Sequence, residues 1–465
     1  MNGYQKINTE DNNSKSFLGN KYTLINRIFE NIKYKRLFII LSLVVCFTFI
    51  SYFLLYYKNS NDKSININNI NENKIDNNII DLKEKSKQLT KKIKEYEKTL
   101  REITTEEIND FRRMNSLGIL YDWNKYKRSK TPDISIVMTM RNQAHCIHKA
   151  IRSVQNQSLK NIEIIIVDDC SLDNSTETVE QFMKEDERII LIKHTTNEGI
   201  MITRNEGIRM AKGKYISILD ADDTFIHKDI LNISLHIAKM ADLDVVEFFS
   251  SLYKKNTFNW NYHSHGKLPV IFQPELRTKF FTIKNDYKYR PIKCRTVWGK
   301  IIRNEIFQKT LDNIPDKYLY DYILGFEDTM ITVSLYQVAQ SYYSLRQPGY
   351  YYSLDEKKNR FPILGDKKCK EKQGIIKGID HIKFLQFLID KLEDNEFENQ
   401  VLYYEIKVIN EYDYSNFKKT ITHHFDLAYN IFDHLLNSSY ITEEQKNYLK
   451  FIKNEIKENE RSQKK

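Results

Sequence analysis

From residue 134 onward the chain repeats one pattern of hydrophobicity. A short, continuous apolar run is followed by a longer stretch with apolar residues every third or fourth position. The runs are "ISIVMTM" (134–140), "IEIIIVDD" (162–169), "RIILIKH" (188–194) and "KYISILD" (214–220). Short runs rich in β-branched residues read as strands buried on both faces, and the periodic stretches between them read as amphipathic helices. These helices are expected at 144–157, 174–185 and 199–213. Asn174 and Ser175 should cap the second, and Gly213 should end the third. Strand and helix alternating at this spacing predict an α/β domain built on a doubly wound, mostly parallel sheet with right-handed crossovers. Ligands of such sheets bind beyond the carboxyl ends of the strands. After about residue 245 the pattern becomes mixed and aromatic-rich. Residues 366–465 read as Lys-rich amphipathic helices that complete the fold and cover the site.

A different pattern precedes the sheet. Residues 37–57 form an uncharged apolar run between Arg36 and Lys58, and at ~1.5 Å per residue a helix of that length spans ~31 Å, the thickness of a bilayer core. It reads as a transmembrane helix; a cleaved signal peptide would be shorter and end in a small-x-small site. Five cations, Lys21, Arg27, Lys33, Lys35 and Arg36, precede the span, and Lys58, Lys63 and Lys74 follow it. The bias predicts a cytoplasmic tail at 1–36 and a single-pass type II membrane topology. A polar, low-complexity stem follows at 58–130. Within it, 75–103 carries a heptad stripe that includes Ile79, Leu82, Leu89, Ile93, Tyr96 and Leu100. Such a stripe predicts a short coiled coil and hence a homodimer, or else one amphipathic helix docked on the domain that begins at 131.

Composition alters this picture little. A chain of 465 residues with 41% hydrophobic content has material for a large core. The net charge of +10 comes from lysines interspersed with acids, which argues against nucleic acid as a partner. Five cysteines without a C-x-x-C pair exclude the usual zinc and redox motifs, and sequence leaves their pairing open. Sequons at Asn156, Asn174, Asn232 and Asn437 suit a lumenal domain. A glycan on Asn174 would crowd the "VDD" loop, however, which favours the opposite side of the membrane.

Chemistry enters at "YISILDADDT" (215–224), where a strand runs into Asp220, Asp222 and Asp223. Carboxylates crowded at a strand end repel one another unless a cation, a proton or an arginine sits among them. Together with "ISIVMTMRN", "SVQNQSLKNIEIIIVDDCSLDNS" and "NEGIMITRNEGIRMAKGK", this stretch resembles the nucleotide-binding half of the family-2 glycosyltransferases, which have the GT-A fold. The resemblance runs from Pro132 to about residue 246, with a further element at "GFEDTMITVSLYQVA" (325–339). It implies a Rossmann-like domain over 131–365 that transfers a single sugar from a nucleotide-diphospho-sugar, a UDP-sugar by its base-site residues, to a hydroxyl of a glycan, protein or lipid, with inversion. It also implies Asp222 as the direct ligand of Mn²⁺ or Mg²⁺, and Asp220 facing the ribose, the metal and Arg204. Hard oxygen ligands suit either cation, which would answer the charge of the departing diphosphate. Asp223 orients the others. Asp168 would read the base, with Thr139 beside it; Asp169 is a second candidate whose bland alternative is helix capping. Arg204 would face the pyrophosphate and the acids. Asp328, preceded by Glu327, would be the general base, and Trp298 a stacking surface for the acceptor unless it is simply buried. The chain departs from many relatives in reading Thr139-Met140-Arg141-Asn142 where they have Pro-x-Tyr-Asn, which removes an aromatic from the base site.

Two other readings compete. "SILDADDT" fits the first motif of haloacid-dehalogenase-like phosphatases, but that motif sits on a first strand and this one on a fourth. An inactive GT-A fold serving as a binding scaffold is the other alternative, against which the Glu327-Asp328 pair argues. The lack of a Q-x-x-R-W motif and of further spans separates the chain from processive synthases. The membrane and topology readings together imply a Golgi or endoplasmic reticulum enzyme with a lumenal catalytic domain.

Overall fold

The computed structural model describes residues 67–117, 125–254, 257–259, 268–280, 295–323 and 325–353, scattered positions between 380 and 406, and 425–463. Two compact units make up the chain: Met1–Ile80, of which only the opening of helix α1 (Ile67–Thr99) is described, and Asp81–Lys465. The predicted span at 37–57 lies outside the described residues; among those described, no helix is long and apolar enough to cross a membrane.

After α1 and α2 (Thr105–Leu117) the predicted alternation follows nearly residue for residue. It comprises β1 (Ile134–Met140), α3 (Ile147–Gln155), β2 (Ile162–Asp168), α4 (Ser175–Glu185), β3 (Ile189–Lys193), α5 (Ile200–Met210) and β4 (Tyr215–Ile218). Next come β5 (Thr224–Phe225), α6 (Ile230–Ala241), β6 (Val245–Lys254), β7 (Thr257–Asn259), β8 (Ile271–Phe272) and α7 (Glu275–Phe280). The second half adds β9 (Lys300–Arg303), α8 (Asn304–Asp312), α9 (Asp316–Leu319), α10 (Glu327–Val338) and β10 (Ser341–Tyr352), and the chain closes with α11 (Phe425–Asn437) and α12 (Glu443–Gln463).

The strands form one sheet in the order β3-β2-β1-β4-β9-β6-β10-β5. β1 pairs in parallel with both β2 and β4, while β9 runs antiparallel to its neighbours β4 and β6. Chain order reverses between β1 and β4, so the crevice that binds ligands in sheets of this kind opens there. The register Met140↔Asp168 sets the carboxyl ends of β1 and β2 level. Every residue of β2 is buried, as a continuous apolar run requires.

Two expectations about local structure need correction. Asn174 makes no side-chain cap on α4; Asp173 accepts from the Ser175 N–H instead, at 3.1 Å. Helix α5 stops at Met210, short of Gly213. Gly213 is required by close packing, since a Cβ there would lie 2.4 Å from the Ser135 nitrogen on β1. Gly207, inside α5, packs as tightly: a Cβ would meet Val137 Cγ1 at 2.5 Å. Gly207→Val therefore pushes α5 off the sheet. Its expected cost is about 1–3 kcal/mol of stability, typical of overpacking, measurable by urea denaturation.

The coiled-coil expectation is also corrected. From Leu89 onward the heptad stripe belongs to the second unit: Ile93 is fully buried, and Leu89, Tyr96 and Leu100 pack against the same core as the sheet. Polar groups on α1 fix the contact, with the Val270 N–H donating to Thr90 Oγ1 at 2.8 Å and Tyr343 to Glu97 at 3.0 Å. A stripe buried in this way cannot also face a second copy of the helix. At the other end of the chain, Ile431, Phe432, Leu435, Leu449 and Ile452 join that core, as expected of amphipathic helices that complete a fold.

Candidate active site

Four charged side chains from three elements meet at the carboxyl edge of the sheet. Arg204, on α5, is 1% exposed and donates from Nη2 to Asp220 Oδ1 and from Nη1 to Glu327 Oε1, each at 2.8 Å. Nη1 also donates to Asp328 Oδ1. The sequence places these partners 16 and more than 120 residues from Arg204; the fold makes one guanidinium span all three. Burial alone opposes the arginine's charge, but Asp328, Asp220 and Glu327 outweigh it and raise its pKa. Three carboxylates against one cation leave the cluster negative. Asp328 shows the effect: burial first, then Glu327 and Asp220, push its carboxyl up to about 7, against the pull of Arg204 and Lys300. It is also the most open of the three acids, its side chain 21% exposed.

A strained turn presents the Glu327-Asp328 pair. Phe326, just before α10, has φ of 67°, a left-handed conformation that bulky residues adopt only when packing holds them. Its ring stacks on Phe384, with centroids 5.3 Å apart, so the region beyond residue 366 buttresses the turn. Lys383 adds an ion pair to Asp321 at 2.5 Å. Asn142 and Cys170, at the ends of β1 and β2, are also left-handed, so backbone strain gathers around the crevice.

The three aspartates after β4 have different tasks. Asp223 is fully buried, and its oxygens accept from the Tyr350 hydroxyl at 2.7 Å and the Ser353 N–H at 2.9 Å. That ties the loop to β10. Burial and then Asp223 hold the Tyr350 phenol well above its ordinary range, so it remains a donor. Each of Asp220, Asp222 and Asp223 offers a carboxylate oxygen within 4.8 Å of the others. With Asp223 committed to β10 and Asp220 to Arg204, Asp222 is the carboxylate best placed to ligate a divalent cation, with Asp220 beside it. An all-oxygen set fits Mg²⁺ or Mn²⁺.

The "VDD" pair divides as well. Asp168 is 2% exposed, and it accepts from the Ser171 N–H at 3.0 Å and from the Ser171 and Thr176 hydroxyls; it organises the turn after β2. Oδ1 takes both Ser171 bonds, while Oδ2, which accepts from Thr176, carries a second lone pair, so a base edge remains within its capacity. Asp169 caps a helix, but α5 rather than the expected α4: it accepts from the N–H groups of Glu198 at 2.7 Å and Gly199 at 3.1 Å. Thr139 lies half-buried near the end of β1, paired with Val167.

Trp298 is not available to an acceptor. It is 4% exposed and stacks on Tyr350 with centroids 4.5 Å apart and on Tyr352 at 5.5 Å, so its place is behind the aspartate loop. Sequence reasoning also missed two neighbours of the site. His194 bridges Asp169 at 3.1 Å and Glu206 at 2.6 Å. Burial lowers its pKa, yet those hydrogen bonds win and raise it above the ordinary value. Lys300 is fully buried, 3.6 Å from Glu247, and donates to the Thr296 carbonyl at 2.5 Å. The signal for both was a charged residue at a strand end, which is too common to single out. Among the described residues, Cys146 and Cys170 form no disulfide.

Residues 135–311 match the family model for glycosyl transferase family 2. An uncharacterized glycosyltransferase of Methanocaldococcus jannaschii is 28% identical over 240 residues, covering 46% of this chain and 79% of that protein. The uncharacterized glycosyltransferase EpsJ of Bacillus subtilis is 30% identical over 224 residues, 48% of this chain and 61% of its own length. Among solved structures, S. aureus TarS 1–349 in complex with UDP-GlcNAc superposes with a TM-score of 0.50 at 15% identity, over 71% of this chain and 89% of that one.

Proposed function

We propose that the chain, whose residues 135–311 match the family model for glycosyl transferase family 2, transfers one sugar, with inversion, from a nucleoside-diphosphate sugar to an acceptor hydroxyl. The observation that carries the reading is the Arg204 hub. One buried guanidinium holds Asp220, next to the cation-binding Asp222, together with the Glu327-Asp328 pair in the same crevice.

In this reading Asp328 accepts the proton of the acceptor hydroxyl, whose oxygen attacks the anomeric carbon. The bond from that carbon to the diphosphate breaks, and the nucleoside diphosphate leaves with the electron pair. A divalent cation at Asp222 and Asp220 would offset the charge that develops on the diphosphate. Arg204 holds Asp220 and Asp328 at fixed separation, so base and leaving-group site stay in register. Asp168 and Thr139 border the place where a base would lie. Membrane anchoring through 37–57, with the domain on the lumenal side of the Golgi or endoplasmic reticulum, completes the proposal. Protection of the domain from protease in sealed microsomes is its expected signature.

A donor screen with Mn²⁺ and Mg²⁺, read by release of nucleoside diphosphate, tests the reaction, beginning with the UDP-GlcNAc found in the TarS complex. Asp222→Asn should retain the fold, since the carboxylate that braces β10 belongs to Asp223, yet lose metal-dependent nucleotide binding. Unchanged metal dependence in that variant would remove Asp222 from its role. No turnover with any sugar nucleotide would favour the scaffold alternative.

A further inference from the structure

His194 stands one residue beyond β3, and its ring reaches two acids that belong to different elements. Its backbone N–H donates to the Asp168 carbonyl at 2.9 Å, extending the β2–β3 ladder by one step, so the root of the side chain is fixed. Nδ1 lies 3.1 Å from Asp169 Oδ1, at the end of β2, and Nε2 lies 2.6 Å from Glu206 Oε2 on α5. Asp169 also accepts from the N–H groups of Glu198 and Gly199 that open α5. One ring therefore grips α5 twice, through the cap at its start and through Glu206, two residues beyond Arg204.

The grip depends on the state of the ring. A neutral imidazole has one N–H and one bare nitrogen, whereas the imidazolium donates from both. Facing two carboxylates, the bare nitrogen of a neutral ring would set its lone pair against an oxygen; the imidazolium makes two charge-assisted bonds instead. The other ionisable neighbours are turned elsewhere. Lys193 pairs with Glu180 of α4 at 3.0 Å, the Glu198 carboxylate accepts from the Thr196 hydroxyl at 3.2 Å, and the Cys170 thiol donates to the Thr195 carbonyl at 3.5 Å. Burial opposes the ring's charge, but the bonds to Glu206 and then to Asp169 outweigh it. A histidine whose pKa is higher in the folded state contributes below its ordinary value, and that contribution is lost as pH rises through the folded one.

We infer that His194, with both ring nitrogens protonated, is a positioning residue: it clamps the first turns of α5 to the end of β2 and so sets where Arg204 holds Asp220, Glu327 and Asp328. The inference rests on the reading of that hub as the site of sugar transfer.

The test uses the full chain and two readouts. Hydrogen exchange at the Glu198 and Gly199 amides, corrected for the intrinsic rate at each pH, reports the clamp without substrate. Release of nucleoside diphosphate at pH 6.5, from the sugar nucleotide selected in the donor screen, reports the reaction. Wild-type protection should fall about tenfold as pH rises above the ordinary histidine range, the worth of one charge-assisted bond. Glu206→Gln alters a side chain that is 41% exposed and supplies an amide that a neutral ring can accept from; it should keep both protection and turnover while losing the pH dependence. His194→Phe keeps a ring but neither nitrogen, and should lower protection at every pH and kcat by about tenfold. Protection that is the same in all three proteins at every pH would overturn the clamp and leave the reaction reading standing. The expected protection pattern with unreduced kcat in His194→Phe would overturn the positioning role. The same pattern with no turnover of any sugar nucleotide would uphold the clamp and bring down the reaction reading.

Discussion

Asp328→Asn is expected to lower kcat by about 10²–10⁴-fold, the range that a positioned general base contributes. Nucleoside diphosphate affinity should change little, because Asp328 lies across Arg204 from Asp220, one of the carboxylates proposed to hold the cation. The wild-type pH profile gives the sharper test. A base works ionised, and burial with Glu327 and Asp220 as neighbours pushes the Asp328 carboxyl up to about 7. Activity should therefore rise as pH passes through about 7 and level off above it, and the Asn variant should lose that limb while keeping a low, flat rate. Stability should move the other way. Between the ordinary carboxylate range and about 7 the folded state holds a proton that the unfolded chain has released, so this group's contribution declines as pH rises through that window. Opposite slopes for activity and stability, both abolished by Asp328→Asn, would mark a single residue as their source. A wild-type profile flat from pH 5 to 8 would argue against Asp328 as the base.

Arg204→Met is expected to be the most damaging change to the fold near the site. It leaves Asp220, Glu327 and Asp328 facing one another without their shared cation, and removal of one partner from a buried charge cluster costs about 3–5 kcal/mol. Protonation relieves that repulsion, so urea denaturation should show a large deficit at pH 8 that shrinks towards pH 5. Arg204→Lys should recover only part of the loss, because a point ammonium cannot reach three carboxylates as a planar guanidinium does. A deficit independent of pH would mean that packing, rather than charge, is what Arg204 supplies.

These two expectations share a structural cause. Asp220, beside the proposed cation ligand Asp222, and Asp328, the proposed base, sit on opposite sides of one arginine, within a strained and buttressed setting. Phe326 is held left-handed by stacking on Phe384, so the geometry of the base depends on residues far along the chain from the motif that names it. Tyr350 and Ser353 likewise hold Asp223, so the loop that carries Asp222 is anchored to β10.

Much of this was legible in the chain itself. The runs at 134–140, 162–169, 188–194 and 214–220 became β1 to β4 with boundaries moved by two residues at most, because a strand buried on both faces must be apolar along its whole length. The order of those runs placed "DADD" on a fourth strand and so separated a sugar-nucleotide site from a phosphatase nucleophile. Arg204 and the Glu327-Asp328 pair were legible as candidates through their motifs. Where each side chain would go was not. Trp298 reads equally well as a sugar platform or as core, and only its stack on Tyr350 decides. The heptad stripe from Leu89 to Leu100 suits a second helix or a sheet edge equally, since both offer an apolar surface. Local pattern determined the elements, their order and the types of residue available for chemistry. Tertiary structure decided which carboxylates share a cation, which proton is held near neutrality and that His194 meets two acids, because those outcomes depend on distances across the fold that no local periodicity encodes.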